Sequence, residues 1–358
     1  MNADRVMPPH PADPENASPK ASPWSVVGHE VAIRLLRRGL EQGRLSHAYL
    51  FVGPDGVGKL TLARALAQAL LCEAANPRER PCGQCRACRL AAQDRPPDVR
   101  LILPPEADRA LSIEQIRELQ HDASLSPVEG RTKIFLISDL DRATVQAANA
   151  LLKTLEEPPP HVVLLLTATQ PEALLPTVVS RCQVIPLRPL SIALVETTLR
   201  ERWQASPEQA ALWARLSHGC LGAAIAGLRD QRGSAWRQHS LQEMIDLLAN
   251  GTVERCGWAE QMANKPDQAR ATLLLWLSWW RDVMYLQAHC REEIVNIDHE
   301  AALTAIAQAC SAHEVCTTTT RIHKTLAYLE ANANVRLALE SLSLHLPRLQ
   351  APILENAA

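Results

Sequence analysis

The sequence predicts a parallel α/β domain with helices on both faces of its sheet, followed by an all-helical region. Three observations predict it. Short continuous apolar runs, "AYLFVG" (48–53), "VRLIL" (99–103), "KIFLI" (133–137) and "VVLLLTA" (162–168), alternate with stretches of helical period. Runs of that kind are strands buried on both faces, as in a parallel sheet. A Gly-rich loop, "GPDGVGKL" (53–60), stands between the first run and an Ala- and Leu-rich helix, "KLTLARALAQALLCEA". From about Leu190 onward no convincing strand remains.

Residues 1–23 are rich in Pro, Ala, Ser and Asn with few large apolar side chains, a composition that cannot offset its ordering entropy, so a disordered tail is expected. A helix with apolar positions at Val31, Ile33, Leu35, Leu36 and Leu40 leads into the first strand. Its basic residues Arg34, Arg37 and Arg38, with Arg44 beyond them, read as a solvated helix face. "SIEQIRELQHDASL" opens on Ser112 with Gln115 three residues on, a capping box. "TVQAANALLKTLEE" is helical until Pro158, Pro159 and Pro160 stop it. The later helical stretches include "LWLSWW", where Trp276, Trp279 and Trp280 lie at core or subunit-interface spacing. No internal repeat is visible.

The chain has 358 residues, 47% hydrophobic and 21% charged, enough for two or three domains. Lys and Arg number 37 against 39 Asp and Glu, so no global field draws the chain to nucleic acid or anionic lipid. No apolar run long enough to span a bilayer appears, nor a secretory signal, and a cytoplasmic protein is expected.

Gly53, Gly56 and Gly58 let the backbone curl so that its N–H groups face a phosphate, at the positive end of the following helix. Lys59 would neutralise the outer phosphates. The position after it normally carries a magnesium-binding hydroxyl; here it is Leu60, and Thr61 comes one residue late, about 100° further around the helix. ATP binding is therefore doubtful. After "KIFLI", where an ATPase needs an acidic pair, stand Ser138 and Asp139. Asp139 or Asp141 either holds magnesium or caps the next helix.

Cys72, Cys82, Cys85 and Cys88 have the spacing C-x9-C-x2-C-x2-C. Four thiolates so placed suit a closed tetrahedral structural zinc, with a redox C-x-x-C or an iron–sulfur cluster as alternatives. In a chain of this size the metal would fix a loop inserted in the α/β domain. The other six cysteines are dispersed and read as ordinary thiols. Arg181, in "VVSRC", is the basic residue of an apolar, small stretch. It is either half of a local salt bridge or a finger reaching a neighbour's γ-phosphate, an effect worth roughly 10³ to 10⁵ in rate elsewhere.

Together "RLSHAYLFVGPDGVGK", the four-cysteine insertion, "SIEQIRELQHDASLSPVEGRTKIFLI", "AANALLKTLEEPPPHVVLLLTAT" and "LLPTVVSRC" resemble the bacterial clamp-loader subunits of DNA polymerase III, over about residues 24–230. The resemblance implies an AAA+ fold with a RecA-like sheet, a helical lid and a helical collar. The implied boundaries are 24–188 for the AAA+ domain, with the cysteine insertion at 72–88, then 189–244 for the lid and 245–358 for the collar. It also implies a five-subunit ring with gamma/tau motor subunits and a delta subunit, acting on a sliding clamp and primed DNA. Within that family the residues match a subunit without intrinsic ATPase activity that lends the Arg of Ser-Arg-Cys, here Arg181, to an adjacent motor. Four departures from the active pattern support this: Leu60, Ser138, Asp139, and Gly222 in "GCLGAA", where active relatives carry a phosphate-sensing Arg. Sensor-1 chemistry falls on Thr167 or Thr169. An active gamma-type motor is one rival. A DNA-binding zinc module, kept open by Arg78, Arg80, Arg86 and Arg89, is the other.

Overall fold

The computed structural model describes residues 24–93, 96–105, 109–331 and 333–349, so the expected tail at 1–23 lies outside it. The chain divides into two compact units. One comprises the described residues up to Leu190 with Cys220–Gly222, the other Ser191–Gly219 and the described residues from Ala223 onward.

The first unit runs α1 (Glu30–Gln42), β1 (Ala48–Val52), α2 (Lys59–Leu71), α3 (Arg86–Ala92), β2 (Val99–Ile102), α4 (Ile113–Ser124), β3 (Lys133–Ile137), α5 (Val145–Glu156), β4 (Val162–Ala168), α6 (Pro176–Val179) and β5 (Gln183–Pro186). The strands form one parallel sheet in the order β2-β3-β4-β1-β5. Side chains alternate across a strand, and this explains the continuous apolar runs. Tyr49, Phe51, Ile134, Leu136, Val163 and Leu165 enter one core with Ile33, Leu36 and Leu40 of α1 and Leu62 and Leu66 of α2. Leu50, Val52, Phe135, Ile137, Leu164 and Leu166 enter the other with Ile116 and Leu119 of α4 and Leu151 and Leu155 of α5. Both faces are thus covered, as the fold class requires.

The local signal at Ser112 acts where it was expected: Ser112 and Gln115 form the reciprocal capping box of α4. The cap of α5 is the Thr144 side chain, and not Asp139 or Asp141. Two readings are corrected. Val31 and Leu35 of α1 are 79% and 45% exposed, because only the Ala32, Ile33, Leu36 and Leu40 side faces the sheet. β5 was not expected at all: only its Ile185 is buried, so an edge strand of four residues leaves no apolar run.

The second unit is helical: α7 (Ile192–Trp203), α8 (Pro207–Leu216), α9 (Leu221–Arg229), α10 (Gln231–Ala249), α11 (Thr252–Ala263), α12 (Pro266–Gln287), α13 (Glu300–Ala309), α14 (Ala312–Glu330) and α15 (Val335–Leu344). No strand follows β5 among the described residues. α7 pairs with α8, while α12 packs on α13 and α14, and α11 on α15. Trp276, Trp279 and Trp280 are fully buried in this core. The expected lid–collar boundary at 244/245 falls inside the continuous helix α10, whose Leu241, Met244, Ile245 and Leu248 share that one core.

Two buried polar devices hold the helices. Arg255 of α11 is fully buried. Its guanidinium donates to the carbonyls of Leu247, Ser343, Leu346 and Pro347 at 2.9, 3.1, 2.7 and 2.8 Å, and to Leu248 at 3.5 Å. These are the orphan acceptors at and just beyond the carboxyl ends of α10 and α15, where a cation also meets the negative end of each helix. Arg237 of α10 makes a bidentate pair with Asp298 and donates to Asn296 Oδ1 at 2.7 Å. Asn296 in turn bonds the buried carboxylate of Asp282 at 2.8 Å through its side chain and 2.7 Å through its backbone N–H.

Candidate functional site

The first unit places a cavity of about 380 Å³ at the carboxyl ends of its strands, lined by the phosphate loop, Ser138, Asp139, Thr167 and Gly222. The position follows from topology. The helix after β1 covers one face of the sheet and the helix after β3 the other, so a crevice opens where connections leave in opposite directions.

The loop's glycines adopt positive φ, 155°, 73° and 110° at Gly53, Gly56 and Gly58, the left-handed region that favours glycine. A side chain at Gly53 would also strike the Leu187 carbonyl oxygen at 2.4 Å. The loop's other groups are engaged within the chain. Lys59, 6% exposed, donates to the carbonyls of Gly53 at 2.7 Å and Pro54 at 3.3 Å, and to Asp55 Oδ1 at 3.0 Å. Three donors exhaust an ammonium. The Gly222 N–H donates to the Gly56 carbonyl at 2.7 Å, and His29 Nε2 lies 3.0 Å from the Val57 carbonyl. Leu60 packs against the core formed by α1, α2 and the sheet. Thr61 is exposed and lines the cavity with Leu60.

Ser138 and Thr167, both buried, lie side by side: Thr167 Oγ1 stands 3.5 Å from Ser138 Oγ and accepts from the Asp139 backbone N–H at 3.0 Å. Asp139 adopts φ 52° and its side chain caps nothing. Asp141 is not a cap either; its carboxylate accepts from the Thr169 hydroxyl at 2.6 Å. Of the two threonines weighed for sensor-1, Thr167 lines the cavity and Thr169 is bound to Asp141.

Cys72, Cys82, Cys85 and Cys88 converge, their sulfurs all within 4.8 Å of one another. Cys82–Cys88 is 4.0 Å and Cys72–Cys85 3.9 Å. A tetrahedral zinc with ligands at about 2.3 Å requires sulfur edges of about 3.8 Å, so the donor set fits such an ion. Backbone N–H groups of Cys82, Cys85 and Cys88 point at the sulfurs of Cys72, Cys82 and Cys85, at 3.3, 3.3 and 3.4 Å. The N–H groups of Cys85 and Gln84 lower the Cys82 thiol to about 6, whereas burial pushes Cys72 and Cys88 up. A bound cation would hold all four as thiolates. Around the cluster Arg78 pairs with Glu41 at 3.6 Å, Arg86 with Glu129 at 2.7 Å, and Arg80 donates to the Ala74 carbonyl at 2.8 Å. These arginines face partners of the chain itself.

Arg181 sits between α6 and β5. Its NH2 lies 2.7 Å from Glu156 Oε1 and its NH1 donates to the Thr177 carbonyl at 2.9 Å. In the parallel register Gln183 is level with Tyr49, so position 181 is level with residue 47 at the amino end of the sheet. Gly53 lies at the other end, about 20 Å along the strand. The structure therefore brings the phosphate loop, Ser138, Asp139, Thr167 and Gly222 together and leaves Arg181 apart from them.

Sequence reasoning missed Glu156, His29 and the buried Asp98. Asp98 accepts from the backbone N–H groups of Val128, Glu129 and Gly130 at 2.6, 3.0 and 2.7 Å and fixes the loop before β3. No local signal marks any of the three, since each acts on residues distant in the chain. A second concavity of about 430 Å³ along α1 is lined by Arg34, Arg37 and Arg38 with Glu30 and Glu41; Arg34 and Arg38 are exposed there, as a solvated helix face requires. Among the described residues no helix is long and apolar enough to cross a membrane.

Residues 28–191 match the family described as DNA polymerase III, delta subunit. The DNA polymerase III subunit delta' of Bacillus subtilis is 31% identical over 88% of this chain and 94% of its own length. The DNA polymerase III subunit tau of Escherichia coli is 38% identical over 64% of this chain, which corresponds to 36% of that subunit. A solved gamma subunit-related protein of Thermotoga maritima aligns over 91% of this chain and 100% of its own, at 22% identity and a TM-score of 0.43. With the delta' relative matched almost end to end, the chain belongs to the DNA polymerase III clamp-loader family, as a subunit of the delta' type.

Proposed function

We propose that this subunit does not hydrolyse ATP itself and supplies Arg181 as an arginine finger to a neighbouring gamma/tau motor subunit. The setting is a five-subunit ring, with delta, that loads a sliding clamp onto primed DNA in the cytoplasm. The observation that carries the reading is the placement of Arg181 at the amino end of a parallel sheet whose own phosphate loop is at the carboxyl end. An arginine about 20 Å from the pocket of its own chain can reach a γ-phosphate only across a subunit boundary. The loop supports the same reading. Lys59 is spent on Gly53, Pro54 and Asp55, Leu60 is packed on the core, and Gly222 abuts Gly56. The four cysteines hold a structural zinc that fixes the inserted segment, and with no open coordination position it takes no part in hydrolysis. The helices from Ser191 onward supply a lid and a collar, the collar joining the chain to the ring.

Two assays test this. The purified chain alone should show no ATP turnover; a rate abolished by Lys59→Ala would mean an active motor instead. In the assembled ring Arg181→Ala should leave assembly intact and lower clamp-stimulated hydrolysis by roughly 10³-fold at that interface. An unchanged rate would remove Arg181 from the mechanism.

A further inference from the structure

We infer that Glu156 is a positioning residue for Arg181, gripping the guanidinium so that its free N–H edge faces an anion outside the chain. The inference rests on the finger reading above. Glu156 is the last residue of α5, a place where the helix's own partial charge is negative and a carboxylate is disfavoured. A Glu there calls for a compensating cation, and Arg181 NH2 lies 2.7 Å from it. The other terminal nitrogen donates at 2.9 Å to Thr177, an orphan carbonyl of α6, with Ser180 Oγ at 3.4 Å. The two grips come from different helices and approach different nitrogens, so together they fix the plane of the fork and not merely its distance.

A guanidinium carries five N–H donors. These contacts use up to three of them and leave the Nε–H and one more. The Arg181 side chain is 35% exposed and that of Glu156 50%, and an ion pair so open adds little to stability. Its consequence is geometric. A long arginine free to rotate must be immobilised when it meets a phosphate, whereas one already held loses less on engagement.

The test uses the complete ring, assembled from this chain, gamma/tau-type motor subunits and delta, with sliding clamp and primed DNA, and reads steady-state ATP hydrolysis. Glu156→Ala should lower kcat about tenfold with KM unchanged, and Glu156→Gln, whose amide oxygen still accepts from NH2, should stay within about threefold of the parent. In an Arg181→Ala background, Glu156→Ala should change nothing further. A rate unchanged or raised by Glu156→Ala overturns the inference, as does an equal loss in the Arg181→Ala background, which would mark a structural effect. If Arg181→Ala lowers the rate and Glu156→Ala does not, positioning alone fails. If Arg181→Ala itself has no effect, the finger reading fails and takes this inference with it.

Discussion

Gly222 abuts Gly56 of the phosphate loop, and replacing it tests how tightly that loop is held. Helix propensity alone favours Gly222→Ala, by at most about 1 kcal/mol. Packing opposes it. A Cβ there would lie 2.8 Å from the Gly56 carbonyl oxygen, 3.2 Å from its Cα and 3.3 Å from its carbonyl carbon. These are backbone atoms, so no side chain can swing aside. The same oxygen accepts the Gly222 N–H at 2.7 Å, and opening the gap forfeits that bond, about 1 kcal/mol. The overpacking itself costs about 1–3 kcal/mol. The balance is a loss of about 1–3 kcal/mol, or a thermal midpoint lowered by roughly 4–8 °C near the middle of that range. Calorimetry of the metal-loaded full chain reads it directly. A variant that melts at or above the parent temperature would refute the close approach of Gly222 to the loop. Gly222→Arg meets the same backbone, so restoring the family's arginine should not by itself confer ATP turnover.

Three further predictions concern the remainder of the chain. Arg255→Met removes a buried cation and strands the carbonyls it serves at the ends of α10 and α15. It should cost about 3–5 kcal/mol in urea unfolding, and a loss below about 1 kcal/mol would contradict the network. His299 is held below its ordinary value of 6.5, first by burial and then by the Arg237 charge, against the opposing effect of Asp298. The unfolded chain therefore takes up this proton first. The contribution is present above the unfolded-state value near 6.5 and is lost as pH falls from there through the lowered folded-state value. Unfolding midpoints between pH 5 and 8 should fall less steeply for His299→Gln than for the parent, and parallel curves would exclude the residue. Native mass spectrometry should detect one zinc, lost in Cys88→Ser. Chelation should then expose the segment between Cys72 and Ala92 to protease while the sheet stays protected; retention of the ion in Cys88→Ser would argue against the four-sulfur site.

Much of the first unit was legible because its signals are local. A parallel strand buried on both faces must be apolar throughout, so "AYLFV" and "VVLLLTA" declare themselves. A capping box needs only Ser112 and Gln115. Paired C-x2-C gaps limit how far sulfurs can separate, which is why spacing alone groups the four cysteines that converge in the fold. β5 escaped because an edge strand with one buried residue has no such pattern. The residue types at Leu60, Ser138 and Asp139 were visible in the chain, but the contacts those residues make were not.

Sequence alone determined the fold class and the grouping of the four cysteines, and it singled out Leu60, Ser138, Asp139 and Arg181 as the residues to question. Each rests on the chemistry of one side chain or on spacing within a few turns. Tertiary structure decided that Lys59 is bound by its own loop, that Gly222 touches Gly56, and that Arg181 is held by Glu156 at the end of the sheet away from the pocket. Contacts of that kind join residues 25 or more apart in the chain, or depend on one lysine rotamer among many. Packing of the sheet and its helices selects them, and no periodicity in the chain encodes them.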